Sequence, residues 1–152
     1  MESVELQTDE QLLAAWQNDA CRGSVNMLLD RHTPRVRGMM ARLGVNQNDT
    51  DDLTQEIMVR AFRGLENFKS DSKFSTWLYV IALNRVRNHF ADKKRKAGRN
   101  DALPELADQR KDTPEQMARL TETCKRVQAA IDSLSEQEQG KTEYWLVAGV
   151  NH

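Results

Sequence analysis

Trp77, Asn84 and Asn88 are the side chains of this 152-residue sequence whose types and spacing point most directly to chemistry, and that chemistry is non-covalent. At about 100° per residue they fall within roughly 40° of one another on a helix. They make a stripe of one aromatic and two amides, separate from the apolar stripe of Phe74, Leu78, Ile81 and Ala82. Just beyond them, Arg85 to Arg99 holds seven cations (Arg85, Arg87, Lys93, Lys94, Arg95, Lys96, Arg99) against one anion, Asp92, a local charge of +6. The whole chain carries −1, so the remainder carries −7. An aromatic ring, then amides, then cations can stack unpaired bases and hold their phosphates. Two plainer readings stand beside this one: Trp77 as ordinary core, and the cations as a solvated helix end suited to the helix dipole.

Two helices have to position these groups. Asp51 to about Leu65 has Leu53, Ile57, Ala61, Phe62 and Leu65 on one face and Asp52, Gln55, Glu56, Val59 and Arg63 on the other. Asn48, Asp49 and Thr50 supply cap residues before it, with Asp51 and Asp52 complementing the dipole. The opposite face is either simply wet or a protein-binding surface. A second helix runs from Phe74 to about Lys96, apolar at its start and basic at its end. Glu66 to Lys73 is a polar loop between them, long for a helix–helix connection, and such loops often carry function.

Earlier in the chain, Asp9 to Gln17 reads as a short amphipathic helix with Leu12, Leu13 and Trp16 inward. Arg22 to Leu43 repeats apolar positions at Val25, Leu28, Leu29, His32, Val36, Met39, Met40 and Leu43, stopped by Gly44. Pro34 is expected to kink or divide it, because proline lacks a backbone donor and clashes with the preceding turn. Residues 98–113 read as a linker. Pro114 opens a last helix with Met117, Leu120, Cys124, Val127, Ala130, Ile131 and Leu134 as its stripe.

Mean hydropathy of −0.73 and 30% charged residues fit a soluble, all-α, charge-rich protein. The longest apolar run, Trp77 to Leu83, is far short of the roughly 20 residues of a spanning helix. The start shows no secretion signal, and Cys21 and Cys124 form no CxxC or Cys/His cluster, so a cytoplasmic location with free thiols is expected. Phosphate loops, GxGxxG, HExxH and GxSxG are absent, and no nucleophile stands with a base. Asp49, Asp51, Asp52 and Glu56 open a helix, where acids belong, and lack calcium-loop spacing. Neither an enzyme, nor a metal, nor a cofactor, nor a small-molecule substrate is expected.

Asp52-Leu53-Thr54-Gln55-Glu56, followed by the string from Phe68 through Phe74-Ser75-Thr76-Trp77-Leu78-Tyr79 to Asn84 and the basic tail, resembles the extracytoplasmic-function sigma factors of bacterial RNA polymerase, close to the envelope-stress type. The likeness covers about Glu10 to Ala97. It implies an all-α bundle of the sigma region-two type over residues 1–97. That bundle would bind the clamp coiled coil of the polymerase's largest subunit through Asp52, Gln55, Glu56 and Val59. The loop Phe68, Lys69, Ser70, Asp71, Ser72 and Lys73 would capture a base flipped from the non-template strand of the minus-ten element. Trp77 and Asn84 would stand at the melting point, with Arg85, Arg87, Asn88, Lys93, Lys94 and Arg95 holding the DNA. An anti-sigma factor, membrane-anchored in some cases, is a further implied partner, as is association with the nucleoid when active.

Residues 114–139 resemble the start of the family's second domain, region four. Family members continue into a helix-turn-helix that reads the minus-thirty-five element; the thirteen residues after Gln139 do not resemble it, so that region is expected to be truncated or altered, with 140–152 an atypical tail. The remnant helix is expected to be mobile, dimerised or docked on the first domain. Two alternatives follow: a shortened factor that occupies polymerase or an anti-sigma factor without supporting initiation, and a helical bundle unrelated to transcription.

Overall fold

A computed structural model describes residues 7–19, 21–69, 72–98, 113–134 and 137. Among the described residues five helices follow in order: α1 (Asp9–Asp19), α2 (Arg22–Arg42), α3 (Gln47–Gly64), α4 (Phe74–Gly98) and α5 (Pro114–Asp132), with a 3-10 turn, Leu65–Asn67, closing α3. The protein is all-α. Residues 99–112 of the expected linker and the ending from 140 lie outside the described residues.

Local sequence signals account for the boundaries. Thr8 and Gln11 exchange side-chain bonds to each other's backbone N–H at 3.1 and 2.9 Å, boxing the start of α1. Asn46 caps α3 by accepting from the Asp49 N–H, so this helix begins at Gln47, slightly earlier than the Asn48–Thr50 cluster suggests. Thr113 and Gln116 form the same box at α5, with Pro114 in its first turn. Gly44 takes φ +92° after α2, a left-handed conformation that halts the helix at little cost to glycine.

Pro34 does not divide α2, one of the two outcomes expected of it: the helix is continuous through it. The ring sits on an exposed face, where water can reach the backbone carbonyl that the missing donor leaves free.

The helices pack serially, α1 on α2, α2 on α3, α3 on α4 and α4 on α5, with α2 also touching α4. Helix α4 is the axis. Phe74, every residue from Thr76 to Ala82, and Val86 are buried on it. Such an unbroken apolar run has no face suited to water, and burying it needs neighbours on several sides. Leu12, Leu28, Val36, Met40, Ile57 and Leu65 close around it, all fully buried.

One polar network ties the first two helices to this axis. His32 is 1% exposed; its Nε2 lies 2.8 Å from an Asp9 carboxylate oxygen and its Nδ1 lies 3.1 Å from the Tyr79 hydroxyl. Arg31 donates to the other Asp9 oxygen at 3.0 Å. The network satisfies groups that would otherwise be costly to bury. No helix among the described residues is long and apolar enough to cross a membrane.

Candidate nucleic-acid interface

The loop before α4 is fixed at both ends. At its start Phe68 turns inward, 7% exposed, with its ring 5.0 Å from Trp77 and 6.2 Å from Phe74. The Phe68 carbonyl accepts from the Gln17 amide at 3.3 Å. At its end Ser72 is buried and the Lys73 N–H donates to Gln128 Oε1 of α5 at 3.1 Å. Lys69 and the Lys73 side chain face solvent; Ser70 and Asp71 lie outside the described residues.

Of the two roles the sequence left open for Trp77, this conformation adopts core packing. The indole is 5% exposed, wedged against Phe68 and Phe74. Gly64 makes room for it: a Cβ there would stand 3.1 Å from indole Cζ2. The end of α3 can therefore lie flat on the ring, which any larger residue would push away.

The amides and a guanidinium stand further along α4, in a groove of about 850 Å³ shared with α5. Trp77 and Ile81 line its apolar side, with Asn84, Arg87 and Asn88 on the same helix. Asn84 and Arg87 are exposed and Asn88 half-buried. Arg60 of α3 and Arg119 of α5 also reach it, so three helices each contribute an arginine. Amides can bond base edges and guanidinium groups can bond phosphate oxygens. The groove offers both.

The remaining cations of α4 are less open than the sequence suggests. Arg85 binds Glu56 with two bonds, 2.8 and 3.2 Å. Lys93 and His89 Nε2 both approach Asp49, at 3.2 and 3.3 Å, and Arg95 pairs with Asp92. The Lys93 ammonium, bonded to Asp49, holds that carboxyl below its ordinary range despite some desolvation. Arg87 and Lys94 are exposed and make no ion pair with any described residue. The acidic helix α3 thus neutralises one side of the basic run and leaves the other to solvent.

The outer face of α3 presents Asp52 and Gln55, with Val59 48% exposed beside them. Glu56 belongs to the same face but leans toward Arg85, so the two candidate surfaces meet at one ion pair. Sequence reasoning missed Arg60, Arg119 and Gln128. Gln128 carried a signal, a polar residue on the α5 stripe between Cys124 and Ile131; the two arginines carried none, since periodicity does not say which helix lies opposite.

Comparison with known proteins bears on this arrangement. Residues 28–96 match the family model for sigma-70 region 2. The chain is 33% identical over 102 residues to an ECF RNA polymerase sigma-E factor of Haemophilus influenzae, covering 67% of this chain and 53% of that protein. It is 34% identical over 140 residues to the ECF RNA polymerase sigma factor SigE of Mycolicibacterium smegmatis, covering 89% and 52%, and 32% identical over 100 residues to the RNA polymerase sigma-H factor of Pseudomonas aeruginosa, covering 66% and 51%. The chain spans about half the length of these curated relatives. No solved structure matches significantly. Residues 28–96 are a sigma-70 region 2, and through them the chain is similar to the extracytoplasmic-function sigma factors over about half of their length.

Proposed function

We propose that this chain directs RNA polymerase to promoters, itself catalysing nothing. The outer face of α3, centred on Asp52, Gln55, Glu56 and Val59, docks on the clamp coiled coil of the largest subunit. The loop from Phe68 to Lys73 and the α4 groove then take the non-template strand of the minus-ten element, with Asn84 and Asn88 at base edges and Arg85, Arg87, Lys93, Lys94 and Arg95 along the backbone. The factor acts in the cytoplasm, on the nucleoid, and an anti-sigma factor withholds it.

The observation that carries the reading is the α4 groove, where solvent-accessible amides and arginines border the buried Trp77. Removing a base from a duplex costs a few kcal/mol, recovered by pocket contacts and by stacking of roughly 1–3 kcal/mol per base. The Glu56–Arg85 pair adds a mechanical consequence: a polymerase that draws on Glu56 frees the Arg85 guanidinium for phosphate.

Selection from a random single-stranded library in the presence of core polymerase tests it. One short motif should be enriched, and enrichment should vanish with Asn84→Ala. A library that stays random, or a motif indifferent to Asn84, contradicts it. Run-off transcription from the selected promoter would separate an initiating factor from one that only occupies polymerase.

A further inference from the structure

We infer that α5 is an intramolecular cover for the strand-capture site, occupying the place of a nucleobase at the junction of the loop and α4. The inference rests on the reading above and concerns the regulation of that same site.

Helix α5 runs antiparallel to α4: Met117 and Leu120 stand by the groove with Asn88, while Gln128 reaches the first turn of α4. Cys124 at 1%, Ile131 at 6% and Gln128 at 9% exposure form its buried stripe. Two of these are apolar and the third makes the specific contact. Gln128 Oε1 accepts from the Lys73 N–H at 3.1 Å and from the buried Thr76 hydroxyl at 2.8 Å, and its amide nitrogen donates to Asp132 at 3.1 Å. A planar carboxamide that accepts from one backbone N–H and one hydroxyl presents what the carbonyl edge of a base would present. The Ser72 hydroxyl stands beside the Cys124 thiol.

The loop end of the capture site is closed in consequence: Ser72 and Thr76 are buried under α5, and the open groove starts only at the edge of Trp77 and runs on past Asn84. A base cannot bond the Lys73 N–H and Thr76 while Gln128 does. The cover is reversible by construction: α5 leans mainly on α4 and buries few side chains, so it belongs to the low-stability end of the fold. Strand binding and α5 docking then exclude each other. Each weakens the other by the same factor, and affinity for the strand scales with the undocked fraction.

A disulfide lock tests this on the full chain. In a Cys21→Ser background, Ser72→Cys places a second thiol beside Cys124. Diamide takes two electrons and two protons from the pair, becoming its hydrazine as the S–S bond forms; dithiothreitol reverses the step. The probe is a fluorescein-labelled single-stranded DNA of randomised sequence, about 20 nucleotides long, read by anisotropy. The oxidised form should bind at least about tenfold more weakly than the same protein reduced. Equal, measurable affinity in both forms overturns the cover and leaves the functional reading intact. Binding in neither form, with core polymerase added to both, overturns both. Gln128→Ala gives an independent check without a lock: Cys124 alkylation by iodoacetamide and DNA affinity should rise together, several-fold each. Faster alkylation at unchanged affinity, or unchanged alkylation, refutes the cover.

Discussion

Replacing Trp77 by alanine removes the largest side chain of α4 from a site where it is 5% exposed and touches Phe68, Phe74 and the backbone at Gly64. Truncating a buried Trp or Phe costs about 3–5 kcal/mol. The upper half of that range applies here, because the wall at Gly64 is helix backbone and cannot collapse into the space, and because two ring–ring contacts disappear with the indole. Against a whole-domain stability of roughly 5–15 kcal/mol, the loss removes about a third or more of the total. Trp77→Phe keeps an aromatic against both rings and should cost roughly 1–2 kcal/mol. Urea unfolding followed by far-UV circular dichroism reads both, avoiding the mixed emission of Trp16, Trp77 and Trp145. A loss below about 1 kcal/mol for Trp77→Ala, at unchanged m-value, would refute the core assignment and return the ring to the surface.

Other expectations follow from the same contacts. Burial alone would raise the Asp9 carboxyl, but bonding and charge from His32, and then from Arg31, outweigh it and hold the group below its ordinary 3.8. A carboxyl depressed in the folded state stabilises above its unfolded value and loses that contribution as pH falls through the folded one. Urea midpoints should therefore fall below about pH 4, and Asp9→Asn should flatten that limb; parallel limbs would mean the network contributes nothing. A double-mutant cycle on Glu56→Ala and Arg85→Ala should give a coupling of about 1 kcal/mol for this partly exposed pair, and a value near zero would show it idle. Gly44→Ala should cost about 1 kcal/mol through its positive φ alone, since nothing stands within 4 Å of a Cβ there; Gly44→Asn should cost less, and equal losses would contradict the backbone explanation. Cys21 is exposed with its thiol lowered by a Ser24 hydrogen bond, whereas burial pushes Cys124 up to about 11; alkylation at pH 8 should modify Cys21 first, and equal rates would contradict the burial of Cys124.

Periodicity and caps made the helices legible. The inward face of α3 at Leu53, Ile57 and Ala61, and the open face at Asp52, Gln55 and Val59, lie where the spacing puts them. Helix stripes say which side is buried, not what covers it. His32 sits on the α2 stripe among Leu28 and Val36, yet its partners Asp9 and Tyr79 are far away in sequence. The pairing of Arg85 with Glu56 and of Lys93 with Asp49 was hidden for the same reason, so the basic run looked more open than it is. Pro34 does not divide α2 because its cost depends on which side of the helix meets solvent, and here the ring is on the exposed side. The docking of α5 was one of three fates its apolar stripe allowed, and only the fold chose it.

Permanganate footprinting of the chain bound to core polymerase on a duplex carrying its selected minus-ten motif tests the central claim most directly. The account predicts reactive thymines in the non-template strand, lost with Asn84→Ala while polymerase binding persists, and loss of polymerase binding with Val59→Asp. An unmelted duplex under the bound complex, or melting and polymerase binding indifferent to both substitutions, would contradict it.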